Sequence, residues 1–312
     1  MTLLKPPALR PGDRVAVVAP GGPLQRQPLE PGIELLASWG LEPVLGASVR
    51  TRHGFLAGND DERLADLQRA FDDESIRGVF CARGGYGTAR IVDRLELSGL
   101  HRAPKVIVGY SDVTALHLLL RNELRLVTFH GPVLARSWET GGWSAERLRR
   151  AVMSTGPLGV LDHPPGYPRV ETLVPGTVTG PLVGGNLTLL ASSLGTPTAV
   201  DASGAILLLE EVHEAPYAVD HLLTQLRRAG VLQAAAGVVV GECVRCDAGP
   251  DDPPSPPVRD VFAEMFVSLG LPSVYGVAFG HGAAQLTVPL GVQATLDAAA
   301  GTLEVRDGAT SG

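Results

Sequence analysis

Residues 105–121 read KVIVGYSDVTALHLLLR, an apolar strand-forming run that passes directly into a helical pattern. The same change from a short apolar run to a helical spacing recurs through the first half of the chain. Strands that alternate with helices predict an α/β fold, a parallel sheet covered on both faces, with ligands bound at the carboxyl ends of the strands. The other strands predicted in this half are Val15–Ala19, Pro43–Leu45, Gly78–Ala82 and Val127–His130.

The chain changes character near residue 156. Five prolines and several glycines lie between residues 155 and 177, a composition typical of a connection between domains. Beyond it, strand-like runs mix with an amphipathic helix at 217–228. We predict an N-terminal domain at 1–156, a linker at 157–178 and a C-terminal domain at 179–312.

The composition is that of a packed globular protein, with 45% hydrophobic and 19% charged residues. The formal net charge is −7 and no run is rich in Lys and Arg, so nucleic-acid binding is disfavoured. No apolar stretch approaches the roughly 20 residues of a membrane-spanning helix, and the N-terminus lacks the apolar core of a signal peptide. We therefore expect a cytoplasmic protein with neither nucleic acid nor membrane among its partners.

Cysteine usage agrees with a reducing compartment. The three cysteines are few, and an odd number cannot all pair, so they do not form a disulfide framework. They are Cys81, Cys243 and Cys246. The spacing Cys243-x-x-Cys246 resembles half of a zinc site, but a structural zinc usually takes four ligands and no second pair exists. We predict no metal and no cofactor.

Ser111 lies between the predicted strand and helix, the position of a nucleophile elbow in which a sharp turn exposes a serine hydroxyl. The free N–H groups and partial positive charge at the helix start favour the oxyanion of a tetrahedral intermediate. The match to G-x-S-x-G is partial, because Val113 replaces the second glycine. The alternative is that Ser111 or Asp112 caps the helix, and the local sequence leaves both interpretations open.

A glycine-rich loop, Arg83-Gly84-Gly85-Tyr86-Gly87, follows the neighbouring predicted strand and should reach the same edge of the sheet. Its glycines permit positive φ or a close approach to a ligand, so one of its amides is a candidate oxyanion donor. A rival interpretation is a dinucleotide-binding loop opening at Gly85. The sixth position of that G-x-G-x-x-G pattern is Arg90, so a nucleotide-binding α/β protein is the less favoured function.

A serine nucleophile needs a general base, normally a histidine, which a carboxylate orients. Among the eight histidines, His130 and His281 both end strand-like runs and precede glycine. Glu210 ends another apolar run, and alternation places its neighbour Glu211 on the opposite face of the strand. The sequence around these residues does not determine which histidine is the base or which glutamate orients it.

Together these segments resemble the LD-carboxypeptidase family of serine peptidases. Each motif is weak alone, but their number and order extend over nearly the whole chain. The segments that carry the resemblance are Pro11-Gly12-Asp13 with Val15–Pro20, Arg83-Gly84-Gly85-Tyr86-Gly87, Gly109-Tyr110-Ser111-Asp112 with Thr114-Ala115-Leu116, His130-Gly131-Pro132, Gly184-Gly185-Asn186-Leu187, Leu209-Glu210-Glu211 with Pro216-Tyr217 and Asp220, and Gly280-His281.

The resemblance implies a fold and a set of site residues. The fold is a flavodoxin-like parallel-sheet N-terminal domain plus a smaller, β-rich α+β C-terminal domain. The implied triad is Ser111, Glu210 and His281, with Ser111 on one domain and its partners on the other. The implied oxyanion hole consists of the backbone amides of Gly85 and Asp112.

The resemblance also implies an activity and an assembly. The activity is hydrolysis of the L,D-peptide bond to the terminal D-amino acid of cytoplasmic murein tetrapeptides during peptidoglycan recycling, by a homodimer. A related branch of the microcin-immunity type cleaves a peptide–nucleotide conjugate, and residues 211–226 are more similar to the murein branch. Arg83 is a candidate for binding the terminal carboxylate because it borders the glycine-rich loop, and Tyr110 is a second candidate substrate-binding residue.

Overall fold

The structure is a computed structural model that describes residues 3–25, 28–136, 138, 142–249 and 253–312. The chain forms two compact units. The first comprises Met1–Gly156, Thr287–Gly291 and Gly308–Gly312, and the second comprises Pro157–Leu286 and Val292–Asp307. None of the helices in the described ranges is both long and apolar enough to cross a membrane.

The helices and strands alternate along most of the chain. Up to residue 156 they are β1 (Arg14–Val18), α1 (Glu30–Ser38), β2 (Glu42–Leu45), α2 (Asp60–Asp72), β3 (Ile76–Cys81), α3 (Ser98–Arg102), β4 (Val106–Gly109), α4 (Thr114–Leu124), β5 (Thr128–His130) and α5 (Trp143–Met153). The remainder are β6 (Gly159–Val160), β7 (Glu171–Val174), β8 (Thr177–Asn186), α6 (Leu187–Ser193), β9 (Ile206–Val212), α7 (Pro216–Arg228), α8 (Val231–Ala234), β10 (Gly237–Val244), α9 (Val258–Leu269), β11 (Ser273–Gly280), β12 (Val288–Leu290), β13 (Gln293–Asp297) and β14 (Thr302–Val305).

The first unit is built on a six-stranded sheet in the order β12-β5-β4-β3-β1-β2. Strands β1 to β5 are mutually parallel, and their order is that of a flavodoxin-like sheet. Strand β12 pairs antiparallel with β5 at the edge. The predicted parallel α/β sheet is therefore confirmed.

Strand β4, which leads directly to Ser111, is buried and packs against β3 and α4. Every residue of β4 is buried, as expected for a parallel strand covered on both faces. Ile107 of β4 shares a buried apolar cluster with Val79 of β3 and with Leu116 and Leu120 of α4. The spacing of Leu116 and Leu120 places both side chains on one face of α4, which packs on the sheet.

The second unit contains an eight-stranded sheet in the order β6-β14-β13-β8-β9-β10-β11-β7. The β-rich character predicted for it is confirmed. Its four central strands, β8 to β11, are parallel, because α6, α7 and α9 return the chain to the same end of the sheet between them. The outer strands pair antiparallel.

The structure differs from the predicted boundaries at two places. The proline-rich segment predicted as a linker at 157–178 contributes β6 and β7, which lie at the two edges of the second sheet, where proline-rich flanks are tolerated. Strand β12 comes late in the sequence but belongs to the sheet of the first unit, where Val288 pairs with His130 of β5. Local composition carries no information on such a long-range pairing.

Candidate active site

Ser111 follows β4 directly and opens a 3-10 turn, Ser111–Val113, that continues into α4. Its φ is +62°, a left-handed conformation that is uncommon for residues with a β-carbon. A helix N-cap normally has extended backbone angles, so this conformation is not that of an ordinary cap. Non-glycine residues in this region cost on the order of 1–3 kcal/mol and cluster at functional sites. Ser111 therefore has the strand-to-helix position and the strained backbone that are typical of a nucleophile elbow.

Loops after the neighbouring strands β1, β3 and β4 pack backbone against backbone beside Ser111. A β-carbon added to Gly84 would lie 3.0 Å from the Cβ and 3.4 Å from the Oγ of Ser111. Gly85 has a φ of +95°, and a β-carbon there would lie 2.9 Å from the Cα of Gly22. Gly22 donates its N–H to the Gly84 carbonyl at 2.8 Å. The loop approaches the serine this closely only because these positions lack side chains.

The side chain of Asp112 connects the serine turn to the glycine-rich loop. The sequence predicts only two roles for Asp112, as a helix cap and as a backbone amide of the oxyanion hole. The buried carboxylate accepts hydrogen bonds from the Gly87 N–H at 3.2 Å and from the N–H and hydroxyl of Thr88 at 2.9 and 2.6 Å. Burial raises the pKa of Asp112, and these hydrogen bonds oppose that effect. Thr88 is a positioning residue that the sequence does not single out.

Arg63 of α2 is fully buried and joins two of these loops. Its Nη1 donates to the Gly87 carbonyl at 2.8 Å and to the Pro20 carbonyl, and its Nη2 pairs with Asp60. Pro20 lies after β1 and Gly87 after β3, so one guanidinium fixes the spacing of both loops. In the sequence Arg63 is one polar residue of a helix, and only tertiary structure gives it this role.

Replacing Arg63 should destabilise the first unit strongly. We expect Arg63→Met to lower the free energy of unfolding by about 3–5 kcal/mol, because two buried carbonyls and Asp60 lose a charged partner. Urea unfolding followed by fluorescence measures the change. Arg94→Met is the matched control, since Arg94 pairs with Asp61 on the surface and such pairs contribute about 0–1 kcal/mol. Equal effects of the two substitutions would contradict this role for Arg63.

The structure places Arg83 and Tyr110 near the serine turn in the same unit. Arg83 is half-buried, and its Nη1 donates to the Pro23 carbonyl at 2.6 Å, which orders the side chain beside the glycine-rich loop. Burial lowers the pKa of Arg83 without discharging it, so its positive charge is partly desolvated. The ring of Tyr110 meets the ring of His130 edge to face, with centroids 6.0 Å apart.

Glu210 and His281 form a hydrogen-bonded pair in the second unit. The distance between Glu210 Oε2 and His281 Nδ1 is 2.6 Å. The Glu210 side chain is 0% exposed and that of His281 is 15% exposed, so the pair is largely shielded from water. Because Nδ1 is bonded to the carboxylate, Nε2 is the ring nitrogen that a histidine in this arrangement uses as a general base.

The electrostatics of this pair favour a protonated imidazole. Burial alone lowers the pKa of His281, but the hydrogen bond and the charge of Glu210 outweigh it, so the pKa lies above its ordinary value. Burial raises the pKa of Glu210, and the hydrogen bond with His281 opposes this rise. A carboxylate that stabilises the imidazolium is what a histidine acting as a general base requires.

The contacts of Glu211 distinguish it from Glu210. Glu211 is buried and accepts hydrogen bonds from the Asn186 amide at 2.8 Å and from the N–H and hydroxyl of Thr188 at 2.8 and 2.7 Å. These donors lie at the start of α6, so Glu211 stabilises a helix terminus. The two adjacent glutamates thus face opposite sides of β9, and Glu210 is the one bonded to His281.

His130 has a different environment from His281. It is buried in β5 of the first unit, with ring contacts to Tyr110 and to His117, whose centroid is 6.5 Å away. His117 itself is bonded to the Gly109 carbonyl at 2.9 Å, and burial lowers its pKa to about 4. This packing is that of core histidines. Cys243 and Cys246 are free thiols, and no group of three potential metal ligands converges within the described ranges.

Comparison with known families identifies this two-domain α/β chain as a peptidase. Residues 15–131 match the model of the LD-carboxypeptidase N-terminal domain, and residues 179–296 match that of the LD-carboxypeptidase C-terminal domain. The chain belongs to the LD-carboxypeptidase family, as its motifs predicted.

Individual proteins extend the comparison. A Bacillus subtilis protein named "Probable murein peptide carboxypeptidase" is 37% identical over 309 residues, which cover 99% of this chain and 96% of that protein. The crystal structure of muramoyltetrapeptide carboxypeptidase from Oxalobacter formigenes superposes with a TM-score of 0.80 at 30% identity, covering 96% of this chain and 100% of that one. The microcin C7 self-immunity protein MccF, in its wild-type apo state, gives a TM-score of 0.89 at 20% identity, covering 99% and 100%. The last likeness shows the fold alone.

Proposed function

We propose that this protein is a serine-type LD-carboxypeptidase that releases the terminal D-amino acid from murein tetrapeptides. The observation that carries the proposal is the hydrogen bond between the buried Glu210 and His281, because a histidine held by a carboxylate is the base that a serine nucleophile needs. The strained backbone of Ser111 supports its role as nucleophile. The names of two similar proteins, a murein peptide and a muramoyltetrapeptide carboxypeptidase, support the choice of substrate.

In the proposed mechanism, His281 Nε2 accepts the hydroxyl proton while Ser111 Oγ attacks the carbonyl carbon of the L,D-peptide bond. The amides of Gly85 and Asp112 donate hydrogen bonds to the oxyanion. The His281 imidazolium then protonates the leaving amine, and the D-amino acid departs from an acyl-enzyme. Water, deprotonated by His281, cleaves the ester and restores Ser111.

The product identifies the reaction. We expect mass spectrometry of a murein tetrapeptide incubated with the protein to show the tripeptide and one free D-amino acid, with no internal cleavage. A peptide–nucleotide conjugate tested beside it addresses the second candidate function, an amidase of the microcin-immunity type, the type named for MccF, whose fold this chain shares. Cleavage of the conjugate alone would replace the murein proposal with this second function.

The pH dependence should follow the His281 pair. The base must be neutral to accept the serine proton, and Glu210 holds the pKa of His281 above its ordinary value. We therefore expect kcat/KM to rise with pH through an acid limb centred above about 6.5, the ordinary histidine value. A pH–rate profile measures this limb, and a midpoint below the ordinary value would contradict the assigned base.

Arg83 is proposed to bind the terminal carboxylate of the substrate. We expect Arg83→Ala to raise KM for a free-acid tetrapeptide by about tenfold or more, the effect of losing a charge-assisted hydrogen bond. The matching C-terminal amide lacks the carboxylate, so its KM should not change between the two enzymes. Arg94→Ala, on the surface of the same unit, is the control. Equal rises for acid and amide would exclude this role.

We also propose, from the family resemblance, that Tyr110 contacts the peptide substrate and that the protein acts in the cytoplasm as a homodimer.

A further inference from the structure

A second carboxylate lies beside His281. Glu242 is on β10, and in the pairing of β10 with β11 it stands opposite Gly280, the residue before His281. A β-carbon added to Gly282, the residue after His281, would overlap the Glu242 carboxylate. The carboxylate of Glu242 therefore packs directly on the backbone that carries the histidine.

The two glycines that flank His281 each make room for one carboxylate. A β-carbon on Gly280 would lie 2.8 Å from the Cβ and 2.9 Å from Oε2 of Glu210, whereas Gly282 accommodates Glu242. Gly280 has a φ of +106°, a conformation that glycine adopts without strain. The Gly280-His281-Gly282 turn is thus shaped by Glu210 from β9 and by Glu242 from β10.

A further segment anchors Glu242. The hydroxyl of Tyr167 donates a hydrogen bond to the Glu242 carboxylate. The Tyr167 ring contacts the ring of His163 edge to face with centroids 5.2 Å apart, and His163 Nε2 accepts the N–H of Ala278 in β11 at 3.5 Å. The carboxylate is therefore held between the strand that carries His281 and the segment 163–167.

The charges around Glu242 couple it to the pair already described. The groups that act on Glu242 are Tyr167, the backbone N–H of Gly282, Glu210 and His281, and those that act on His281 include Glu210, Glu211 and Cys246. Burial raises the pKa of Glu242, and the nearby charge of Glu210 raises it further. The hydrogen bond from Tyr167 and the charge of His281 oppose this rise. An ionised Glu242 and a protonated His281 stabilise each other, because charge coupling between two groups is reciprocal.

We propose that Glu242 is a second positioning carboxylate for His281. It holds the Gly280–Gly282 turn in place and stabilises the imidazolium from β10, the strand between β9, which carries Glu210, and β11. Its effect on the protonation of His281 is a property of the fold. Its contribution to turnover rests on the proposed function.

The direct test is the titration of His281 by NMR with ring-labelled histidine, the signal being assigned by its loss in His281→Gln. We expect Glu242→Gln to lower the pKa of His281 by about half a unit or more, the size expected for loss of a nearby opposite charge. Glu264→Gln on the exposed side of α9 is the matched control and should leave the His281 titration unchanged. An unshifted titration in folded Glu242→Gln would overturn the proposal.

A second variant covers the case in which Glu242→Gln does not fold. Tyr167→Phe removes the hydroxyl that stabilises the ionised carboxylate and should shift the His281 titration in the same direction, and no shift would overturn the proposal. Kinetics separate the two proposals. In an active enzyme, the acid limb of kcat/KM should move with the titration at unchanged KM. A wild-type protein that cleaves no peptide would refute the proposed function and leave the titration result intact.

Discussion

Ser111→Ala is expected to lower kcat for tetrapeptide hydrolysis by at least about 10⁴-fold, because the substitution removes the nucleophile and leaves only binding and oxyanion stabilisation. The fold should persist, since alanine fits the space of serine and the half-buried Ser111 lies just beyond the end of β4. Quantitative mass spectrometry of the released D-amino acid gives the rate, and circular dichroism confirms folding.

Ser98→Ala is the matched control for this substitution, because Ser98 is an exposed serine at the start of α3 in the same unit. Its kcat should equal that of the unsubstituted protein. Turnover by Ser111→Ala at the rate of this control would remove Ser111 from the mechanism.

Glu210→Gln should reduce kcat by about 10³–10⁴-fold, as replacement of the orienting carboxylate does in other triads. The amide can no longer fix the tautomer of His281 or stabilise its positive charge. The midpoint of the acid limb in the pH–rate profile should therefore also move to lower pH. Steady-state kinetics across pH measure both effects in one series.

The adjacent glutamate provides the control, since it has the same charge and burial and different contacts. Glu211→Gln should lower the free energy of unfolding by about 1–3 kcal/mol, because donors at the start of α6 lose an acceptor. Its kcat should fall far less than that of Glu210→Gln. The reverse pattern, an active Glu210→Gln beside a folded but inactive Glu211→Gln, would exchange the roles of the two residues.

Local sequence predicts those features of this protein that depend on neighbours in the chain. The passage from an apolar run into a helix at Ser111 predicts both the parallel strand and the turn that follows it, and the structure has both. The positive φ of Ser111 is not encoded by its own residue type. It depends on the packing of β4 and α4 and on Gly84, so sequence alone left capping open as an alternative.

Features that depend on distant parts of the chain are beyond local patterns. Glu210 and Glu211 are both buried at the end of β9, and only the position of β11 determines which one meets His281. Arg63 is buried because loops from β1 and β3 converge on it. The same limit explains why the pairing of β12 with β5 was not predicted.

The most direct test of the proposed triad is the rate at which a fluorophosphonate labels the protein, with the site mapped by peptide mass spectrometry. The account predicts that Ser111 is labelled and that His281→Ala slows labelling by about 10²–10⁴-fold, the usual contribution of a general base. His221→Ala, which alters an exposed histidine, should label at the unsubstituted rate. Labelling of a different serine, or equal rates with and without His281, would contradict it.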